Sequence, residues 1–366
     1  MSEPGSKAVL EYGRRRQGEG RYLAYWGCGI AAVLVVMALC LLVGADSHHI
    51  SFGLPNLRAE DGWYFLRFRL VRVTSAALVG AALAAAGVLF QGLLRNPLAD
   101  PYVLGISTGS SVAVLTWVAS FTAVLTMVEH GVLPQWVAVL VTNGEAVPAL
   151  IGALVTCVAV FAIARANSSQ SIEPLTLLLV GVVVSAFNGA LIILINSLLP
   201  YGVSVNITTY LIGNIDDGTG MWALITAAVL FLAGWAFGLL AAGQMNIAAL
   251  SDVEATSLGV RLGRLRTLCF IAASVMTAAA ISIARAIGFV GLICPHICRL
   301  IFGPDQRQLI VTAPFCGAVF LMLADALVQL SRPWLPLSLP VGVVTALAGG
   351  PFFLVLLRRR NRREVG

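Results

Sequence analysis

The sequence predicts an all-α polytopic membrane protein that crosses the bilayer about ten times as one transmembrane domain. Composition is the first reason: of 366 residues, 59% are hydrophobic and 11% are charged, whereas soluble domains carry about 25% charged residues. Long runs without Asp, Glu, Lys or Arg are the second, because roughly 20 apolar residues cross the hydrocarbon core as a helix. We therefore expect a transmembrane domain at 22–357 between basic tails at 1–21 and 358–366.

Each charge-free run predicts one crossing, unless its length or a turn signal divides it. The run 174–215 is too long for one helix, and its Pro200-Tyr201-Gly202 break predicts a full helix followed by a short helix at 206–213. The apolar stretch 137–141 is too short to cross, so we assign it to the connection 129–147. The predicted crossings are about 22–44, 71–93, 104–127, 147–165, 175–198, 221–242, 267–284, 287–302, 308–329 and 338–357.

Positively charged residues predict the orientation. Ten crossings place both termini on one side, and summing the loops puts 17 of the 23 Lys and Arg residues on that side. Positive residues are retained in the cytoplasm, so both termini are expected to be cytoplasmic. The net charge of +6 is then an orientation signal, and we expect no nucleic-acid partner.

A cleaved signal peptide is the alternative interpretation of the N-terminus, because Val43-Gly44-Ala45 resembles a cleavage site. The apolar run before it has about 22 residues, whereas the apolar region of a signal peptide usually has about 7–15. A retained first helix is therefore favoured.

Few residues of this chain could carry out catalysis. Its single lysine is Lys7, in the polar tail, so a phosphate-binding loop ending in Gly-Lys-Ser/Thr is excluded. No catalytic serine elbow or paired-histidine zinc motif is present. Cys294, His296 and Cys298 form an incomplete zinc set, and we interpret the cysteines as buried packing residues. We expect no enzymatic activity, no metal and no cofactor on this chain.

Asp325 is the strongest candidate for an ionisable residue inside a predicted span. A proton- or sodium-driven carrier would use such a residue for ion coupling. The alternative, which we favour, is a carboxylate that caps or pairs near the outer surface. A ten-span protein without an energy source of its own then requires a partner that supplies the energy.

The polar connection 95–109 joins the second and third predicted crossings. Its Asn96-Pro97 and Asp100-Pro101 pairs each force an extended or turn conformation, because a proline ring crowds the preceding residue. The crossing before it contains the small-residue segment 75–87, which allows close helix packing. We expect a short stiff loop between two tightly packed helices.

The connection 243–266 lies on the cytoplasmic side by parity. Ser251 can cap a helix that begins at Asp252, whose carboxylate suits the positive helix N-terminus. Gly259 fits a helix stop. Two short helices joined at this glycine would form a firm lever for a partner protein, and an ordinary amphipathic surface loop is the alternative.

Four blocks of the sequence resemble the FecCD family of ABC-importer permeases, which are type II importers for iron–siderophore, haem and cobalamin. The blocks are RLVRVTSAALVGAALAAAGVLFQGLLRNPLADPYVLGISTG (69–109), LSDVEATSLGV (250–260), IGFVGLICPHICRLIFGPDQR (287–307) and LPVGVVTALAGGPFFLVLLRR (339–359). The resemblance implies the type II importer permease fold of ten helices in a bacterial or archaeal cytoplasmic membrane. It also implies a homodimer or paired homologue, two ATP-binding cassette ATPase subunits that carry ATP and Mg²⁺, and an extracytoplasmic substrate-binding protein.

The resemblance also assigns roles to individual residues. The segment that docks on the ATPase corresponds to the loop with Asp252, Ala255, Leu258, Gly259 and Val260, although Ser251-Asp252-Val253-Glu254-Ala255 stands where the family usually has Gly-Asp-Glu-Val-Ala. Arginines that pair with glutamates of the binding protein correspond to Arg69 and Arg72. Gln329 occupies the place of a third arginine, for which Arg332 could substitute. Anchoring to lipid headgroups is the alternative role of these arginines.

A translocation path at the dimer interface is expected, lined by the third, fifth, eighth and tenth helices and largely uncharged. Its expected polar contributors are Ser107, Thr108, Ser110, Ser111, Asn188 and Asn196. Each of them alone is also explained by a helix-packing hydrogen bond. Ferric siderophore or a related iron chelate is the favoured cargo; cobalamin or haem is the second possibility, and an ion-coupled secondary carrier is the third.

Overall fold

The computed structural model describes residues 24–45, 50–53, 62–97, 99–134, 136–137, 144–166, 174–198, 212–216, 218–334 and 339–364. Within these residues the regular secondary structure is α-helical apart from one short hairpin and one 3₁₀ turn at Pro101–Leu104. The helices are α1 (Ala24–Leu42), α2 (Gly62–Leu93), α3 (Ile106–Glu129), α4 (Ala146–Ala166), α5 (Pro174–Leu198), α6 (Met221–Ala248), α7 (Asp252–Ser257), α8 (Leu262–Ala284), α9 (Val290–Phe302), α10 (Gln306–Ser331) and α11 (Val341–Glu364).

The all-α polytopic prediction is confirmed. Among the described residues, seven helices are long and apolar enough to cross a membrane, and the three shorter apolar helices lie within α3, α9 and α11. These ten segments coincide with the ten predicted crossings. The predicted short helix at 206–213 and the basic tail at 1–21 lie almost entirely outside the described residues; Gly213, which is described, is not helical.

The eighth predicted crossing begins three residues later than expected. Arg285 and Phe289 have positive φ angles of 59° and 69°, and a left-handed residue interrupts a right-handed helix. Residues 285–289 therefore form a corner, and α9 begins at Val290.

A two-stranded antiparallel hairpin follows α1 and was not predicted. Strand β1 (Val43–Ala45) pairs with β2 (Ile50–Phe52), and Val43 lies opposite Phe52. Nη1 of Arg69 on α2 donates to the carbonyl oxygens of Leu41 at 3.3 Å and Gly53 at 2.9 Å. The hairpin is thereby fixed to the early part of α2.

Helix α2 lies at the centre of the helix bundle and packs against α6, α8, α9 and α10. Glycines set its separation from two of these neighbours. A Cβ atom on Gly80 would lie 2.2 Å from the carbonyl oxygen of Gly317 on α10, and one on Gly87 would lie 1.9 Å from that of Gly291 on α9. The small-residue segment 75–87 thus has the packing role expected from the sequence, because only glycine allows these backbones to touch.

Helices α3, α4 and α5 form a second group beside the core. Gly109 of α3 faces Thr156 of α4, where an added Cβ would lie 1.8 Å from Oγ1. Helix α5 is the least covered of these three: in its most apolar window only 17% of residues are buried, and Val183, Phe187 and Ile193 are largely exposed. An apolar face of α5 is therefore left open to lipid or to another chain.

We expect Gly80→Ala to destabilise the protein, because the new methyl group collides with backbone of α10 that cannot rotate away. Overpacking of this kind costs about 1–3 kcal/mol. The measurement is thermal unfolding of the purified protein in detergent, with Gly27→Ala as the matched control. Gly27 lies in α1, and no atom stands within 4 Å of the position that its Cβ would take, so the control should gain helix propensity without a clash. Equal melting temperatures for the two variants would contradict the close-approach argument.

Candidate functional site

The predicted coupling loop forms one short, fully capped helix, α7. The Ser251 hydroxyl accepts from the Glu254 backbone N–H at 3.2 Å, and the Ser251 N–H donates to Glu254 Oε2 at 3.0 Å. This reciprocal pair is a capping box. The predicted cap at Ser251 and helix start at Asp252 are therefore confirmed by the geometry.

The C-terminal end of α7 is closed by a Schellman motif. Gly259 has φ of +82°, its N–H donates to the Thr256 carbonyl at 2.9 Å, and the Val260 N–H donates to the Ala255 carbonyl at 3.1 Å. The predicted stop at Gly259 is confirmed. The expectation of a second short helix in this connection is wrong, since the chain enters the long helix α8 at Leu262.

Helix α7 is anchored on one side and exposed on the other. Ala255 and Val260 are buried, whereas the side chains of Val253 and Leu258 are 80% and 61% exposed. Val253 on the helix and Leu258 at its C-cap therefore present exposed apolar side chains at the two ends of α7. The ATPase-docking role of Asp252, Ala255, Leu258, Gly259 and Val260 stays a prediction.

Asp252 connects α7 directly to two other parts of the chain, and through Arg95 to a third. Its Oδ1 accepts from Nη2 of Arg95 and, at 2.9 Å, from Nη2 of Arg266 near the start of α8. Arg95 also donates through Nε to the Ala248 carbonyl at the end of α6, at 2.9 Å. We call Asp252, Arg95 and Arg266 the Asp252 clamp. Partial desolvation alone would raise the pKa of Asp252, but hydrogen bonds and charge from Arg266 and Arg95 outweigh it and lower that pKa.

The loop after Arg95 leads from the clamp into the protein interior. Asp100 accepts from the backbone N–H of Tyr102 at 3.1 Å, which caps the 3₁₀ turn. Its second oxygen accepts from the N–H of Phe289 at 3.0 Å, at the start of α9. Gly105, with φ of +76°, ends the 3₁₀ turn, and α3 begins at Ile106. The stiff loop predicted from its two Asx-Pro pairs thus joins α2, α3 and α9.

Arg72 and Asp325 form a buried ion pair between α2 and α10. Nη2 and Nε of Arg72 donate to Oδ1 and Oδ2 of Asp325, both at 2.8 Å, and Gln329 donates to Oδ2 at 2.9 Å. The two charged residues are 4% and 1% exposed. The interpretation of Asp325 as a pairing carboxylate is confirmed.

Two of the three arginines predicted to dock on the binding protein make contacts within this chain. The guanidinium of Arg72 is turned toward Asp325 inside the protein, and that of Arg69 holds the hairpin. Arg332 follows the last turn of α10 and is partly exposed. A docking role stays a prediction for all three.

Most of the residues predicted to line the translocation path make hydrogen bonds within or between helices. Asn188 of α5 donates to Thr108 Oγ1 of α3 at 3.3 Å, and Ser111 bonds to the carbonyl of Ser107 within α3 at 3.2 Å. The first bond joins two packed helices and the second lies within one helix, so neither requires a path to explain it. Asn196 is half-buried in α5. The role of these residues in a path stays a prediction.

Ser110 and Ser111 line a polar cavity of about 220 Å³ that the sequence did not predict. Its other walls include Glu145, Asp216 and Arg285, and Nη2 of Arg285 lies 3.0 Å from Oε2 of Glu145. These residues come from three separate connections, so no local pattern marks them. Among the described residues, no group of three or more His, Cys, Asp or Glu is arranged to hold a metal ion.

The Arg72–Asp325 pair gives a test of stability. Arg72→Ala should cost about 3–5 kcal/mol, because it leaves a buried carboxylate without its cation. The measurement is thermal unfolding in detergent. The double variant Arg72→Ala/Asp325→Ala should recover part of the loss, since no charge is then left unpaired. Strictly additive losses would show that the two side chains do not interact.

The Asp252 clamp gives a test of local dynamics. Asp252→Asn should speed hydrogen exchange of residues 249–261 several-fold, because a neutral amide holds the two arginines weakly. Asp216→Asn, at an exposed position of another loop, is the control and should leave hydrogen exchange of residues 249–261 unchanged.

The lowered pKa of Asp252 means that the clamp is intact above the ordinary pKa of Asp and weakens only as pH falls through the lowered value. Exchange between pH 7 and 5, corrected for intrinsic rates, should therefore be constant in the unmodified protein; loss of protection by pH 5 would contradict the assignment.

Comparison with known proteins supports the resemblance found in the sequence. The family model of the FecCD transport family matches residues 32–359. The iron chelatin transport system permease protein of Helicobacter pylori strain J99 is 36% identical over 294 residues, covering 80% of this chain and 82% of that protein. The cobalamin import system permease protein BtuC of Halobacterium salinarum is 38% identical over 299 residues, covering 81% of this chain and 74% of that protein.

The fold is also similar to that of a solved transporter. A metal-chelate type ABC transporter in an inward-facing conformation superposes with a TM-score of 0.72 at 25% sequence identity, covering 92% of this chain and 99% of that one. The helical architecture, the capped loop between α6 and α8 and the family match agree with one another. The chain belongs to the FecCD transport family and is a multi-pass permease subunit of an ABC transporter.

Proposed function

We propose that the chain imports iron chelates, with ferric siderophore as the favoured cargo, as the permease of an ATP-driven importer. The observation that carries the ATP-driven mechanism is α7, a capped helix clamped to neighbouring parts of the chain with Val253 and Leu258 exposed. The Helicobacter relative and the similar solved structure, whose names refer to iron chelatin and to metal chelate, support the cargo. Cobalamin is the second candidate, because the Halobacterium relative is named for it; haem would use the same machinery.

The energy source is a partner ATPase that docks on α7. With Lys7 as its only lysine, this chain lacks the lysine of a phosphate-binding loop, so ATP and Mg²⁺ belong to the partner. Exposed apolar side chains on a rigid helix are suited to a pocket on that partner. Because positive residues stay in the cytoplasm, α7 and both termini are assigned to that side of a bacterial or archaeal cytoplasmic membrane.

The binding protein would dock on the extracytoplasmic face, and the second permease copy on the lateral surface. Arg69 and Arg332, and Arg72 if its internal pair opens, would meet carboxylates of an extracytoplasmic binding protein, since guanidinium groups pair bidentately with carboxylates. A second permease copy would cover the open apolar face of α5. The translocation path would then run between the copies, along α3, α5, α9 and α11.

The clamp suggests how ATP binding reaches the path. Closure of the ATPase subunits would displace α7, and Asp252 would transfer that displacement to Arg95 and Arg266. From Arg95 the stiff loop continues through Asp100 to the starts of α3 and α9. Two conformations of this connected unit would open the path to one side or the other.

Reconstitution in liposomes with the cognate ATPase and binding protein tests this function. Uptake of labelled ferric siderophore should require ATP inside the vesicle and all three components. Cobalamin and haem, offered in parallel, should be transported at least tenfold more slowly. Uptake of cobalamin in place of the siderophore would reassign the cargo, and uphill transport by this chain alone on an ion gradient would refute the ATP-driven mechanism.

The variant Gly259→Val tests whether uptake depends on α7. A β-branched residue is strained at φ of +82°, so the end of the helix must shift and uptake should fall about tenfold while ATP hydrolysis continues. Gly263→Val is the matched control, four residues further on, with open space around its Cβ position. Uptake that is equal in the two variants would count against a coupling role of α7.

A further inference from the structure

A groove of about 500 Å³ lies between the end of α6 and the start of α8, and residues 258–260 close one side of it. Its two halves differ in chemistry. Phe237, Leu240 and Leu268 line the apolar half, whereas Gln244, Arg261 and Arg264 line the polar half. We call this cavity the α6–α8 groove.

The apolar half lies on the membrane-spanning parts of the two helices. Leu240 precedes the end of α6 by eight residues, which is about 12 Å along a helix. Its side chain is 83% exposed, and that of Leu268 is 38% exposed. Both leucines lie within the predicted crossings 221–242 and 267–284, near the cytoplasmic ends, where an exposed apolar side chain meets lipid acyl chains.

The polar half holds two exposed arginines. Arg261 is the N-cap residue of α8 and Arg264 lies in its first turn; both are exposed and line the groove. Among the described residues neither guanidinium has a hydrogen bond or an ion pair. Both also stand at the positive end of a helix dipole, where an anion is favoured and a cation is not. An anionic ligand would relieve both unfavourable features.

We propose that the α6–α8 groove binds one anionic glycerophospholipid. Its phosphate lies between Arg261 and Arg264, Gln244 donates to the headgroup, and one acyl chain follows Leu240 and Leu268. Basic pockets between transmembrane helices on the cytoplasmic side are suited to such lipids. A free phosphate would leave the apolar half of the groove unfilled, so the lipid is the ligand that matches both halves.

This inference rests on the proposed function, because that function places the groove in the cytoplasmic leaflet. The lipid would then lie beside Gly259, at the end of the coupling helix, while the exposed Leu258 side chain meets the ATPase. Its binding would support the end of α7 and make coupling between ATP hydrolysis and uptake depend on anionic lipid.

Native mass spectrometry of the full-length chain with its ATPase partner tests the site, with phosphatidylglycerol as the probe and phosphatidylcholine as the neutral comparison. Each arginine near an anionic headgroup contributes a factor of about five in affinity. Arg261→Gln or Arg264→Gln should therefore weaken phosphatidylglycerol binding about fivefold, and the double variant about 25-fold. Arg165→Gln, at an exposed position in the last turn of α4, is the control and should bind normally.

A second variant tests the apolar half without changing any charge. Leu240→Gln should weaken retention of the lipid, whereas Leu327→Gln, at an exposed position on α10, should not. Soluble glycerol phosphate should fail to displace the bound lipid; displacement would show that the site takes a free phosphate. Unchanged lipid binding in the double arginine variant overturns the proposal. Loss of the ATPase partner with lipid binding unchanged would identify the groove as a protein interface instead.

Uptake measurements separate this inference from the function on which it rests. In liposomes of phosphatidylcholine with and without phosphatidylglycerol, the unmodified importer should transport faster with the anionic lipid, and the double arginine variant should lose that difference. Absence of uptake in every lipid would count against the proposed function while the binding assay still decides the site. Uptake that is equally insensitive to phosphatidylglycerol in both proteins would overturn the coupling role of the lipid.

Discussion

The backbone contacts of α2 with α10 and α9 are the constraint on which the rest of the structure depends. Gly80 meets Gly317 and Gly87 meets Gly291 at distances that leave no room for a Cβ atom. In a bilayer, apolar side chains gain little by leaving lipid, so association comes from close packing and from polar contacts. The glycines provide the first, and they bring Arg72 and Asp325 near enough to provide the second.

The same packing fixes the position of the connection between α2 and α3. Because α2 is held against α9, the turn at its end places Asp100 next to the N–H of Phe289. Asp100 thereby satisfies two backbone donors at once, one on the 3₁₀ turn and one at the corner before α9. A buried carboxylate in a membrane protein is acceptable when its oxygens are used in this way.

Helix α7 combines a rigid anchor with an exposed contact surface. A six-residue helix is not stable by itself, and here the capping box, the Schellman motif and the Asp252 clamp hold it in place. The charged contacts lie at its N-terminal end and the exposed Leu258 at its C-terminal end. A partner that pushes on the exposed side therefore acts on a body that is tied to α2, α6 and α8. The α6–α8 groove beside Gly259 lies at the end that the clamp does not reach.

The sequence by itself determined the membrane class, the ten helical segments, the cap at Ser251 and the stop at Gly259, because each depends on hydropathy or on residues within a few positions of one another. Only the tertiary structure decided the partners of Arg72, Arg95 and Arg285, which lie 253, 157 and 140 residues away, and the left-handed corner at 285–289 that shortens α9. Such contacts depend on how helices are arranged around the glycine contacts of α2. Local patterns carry no record of that arrangement, since many arrangements bury the same apolar faces.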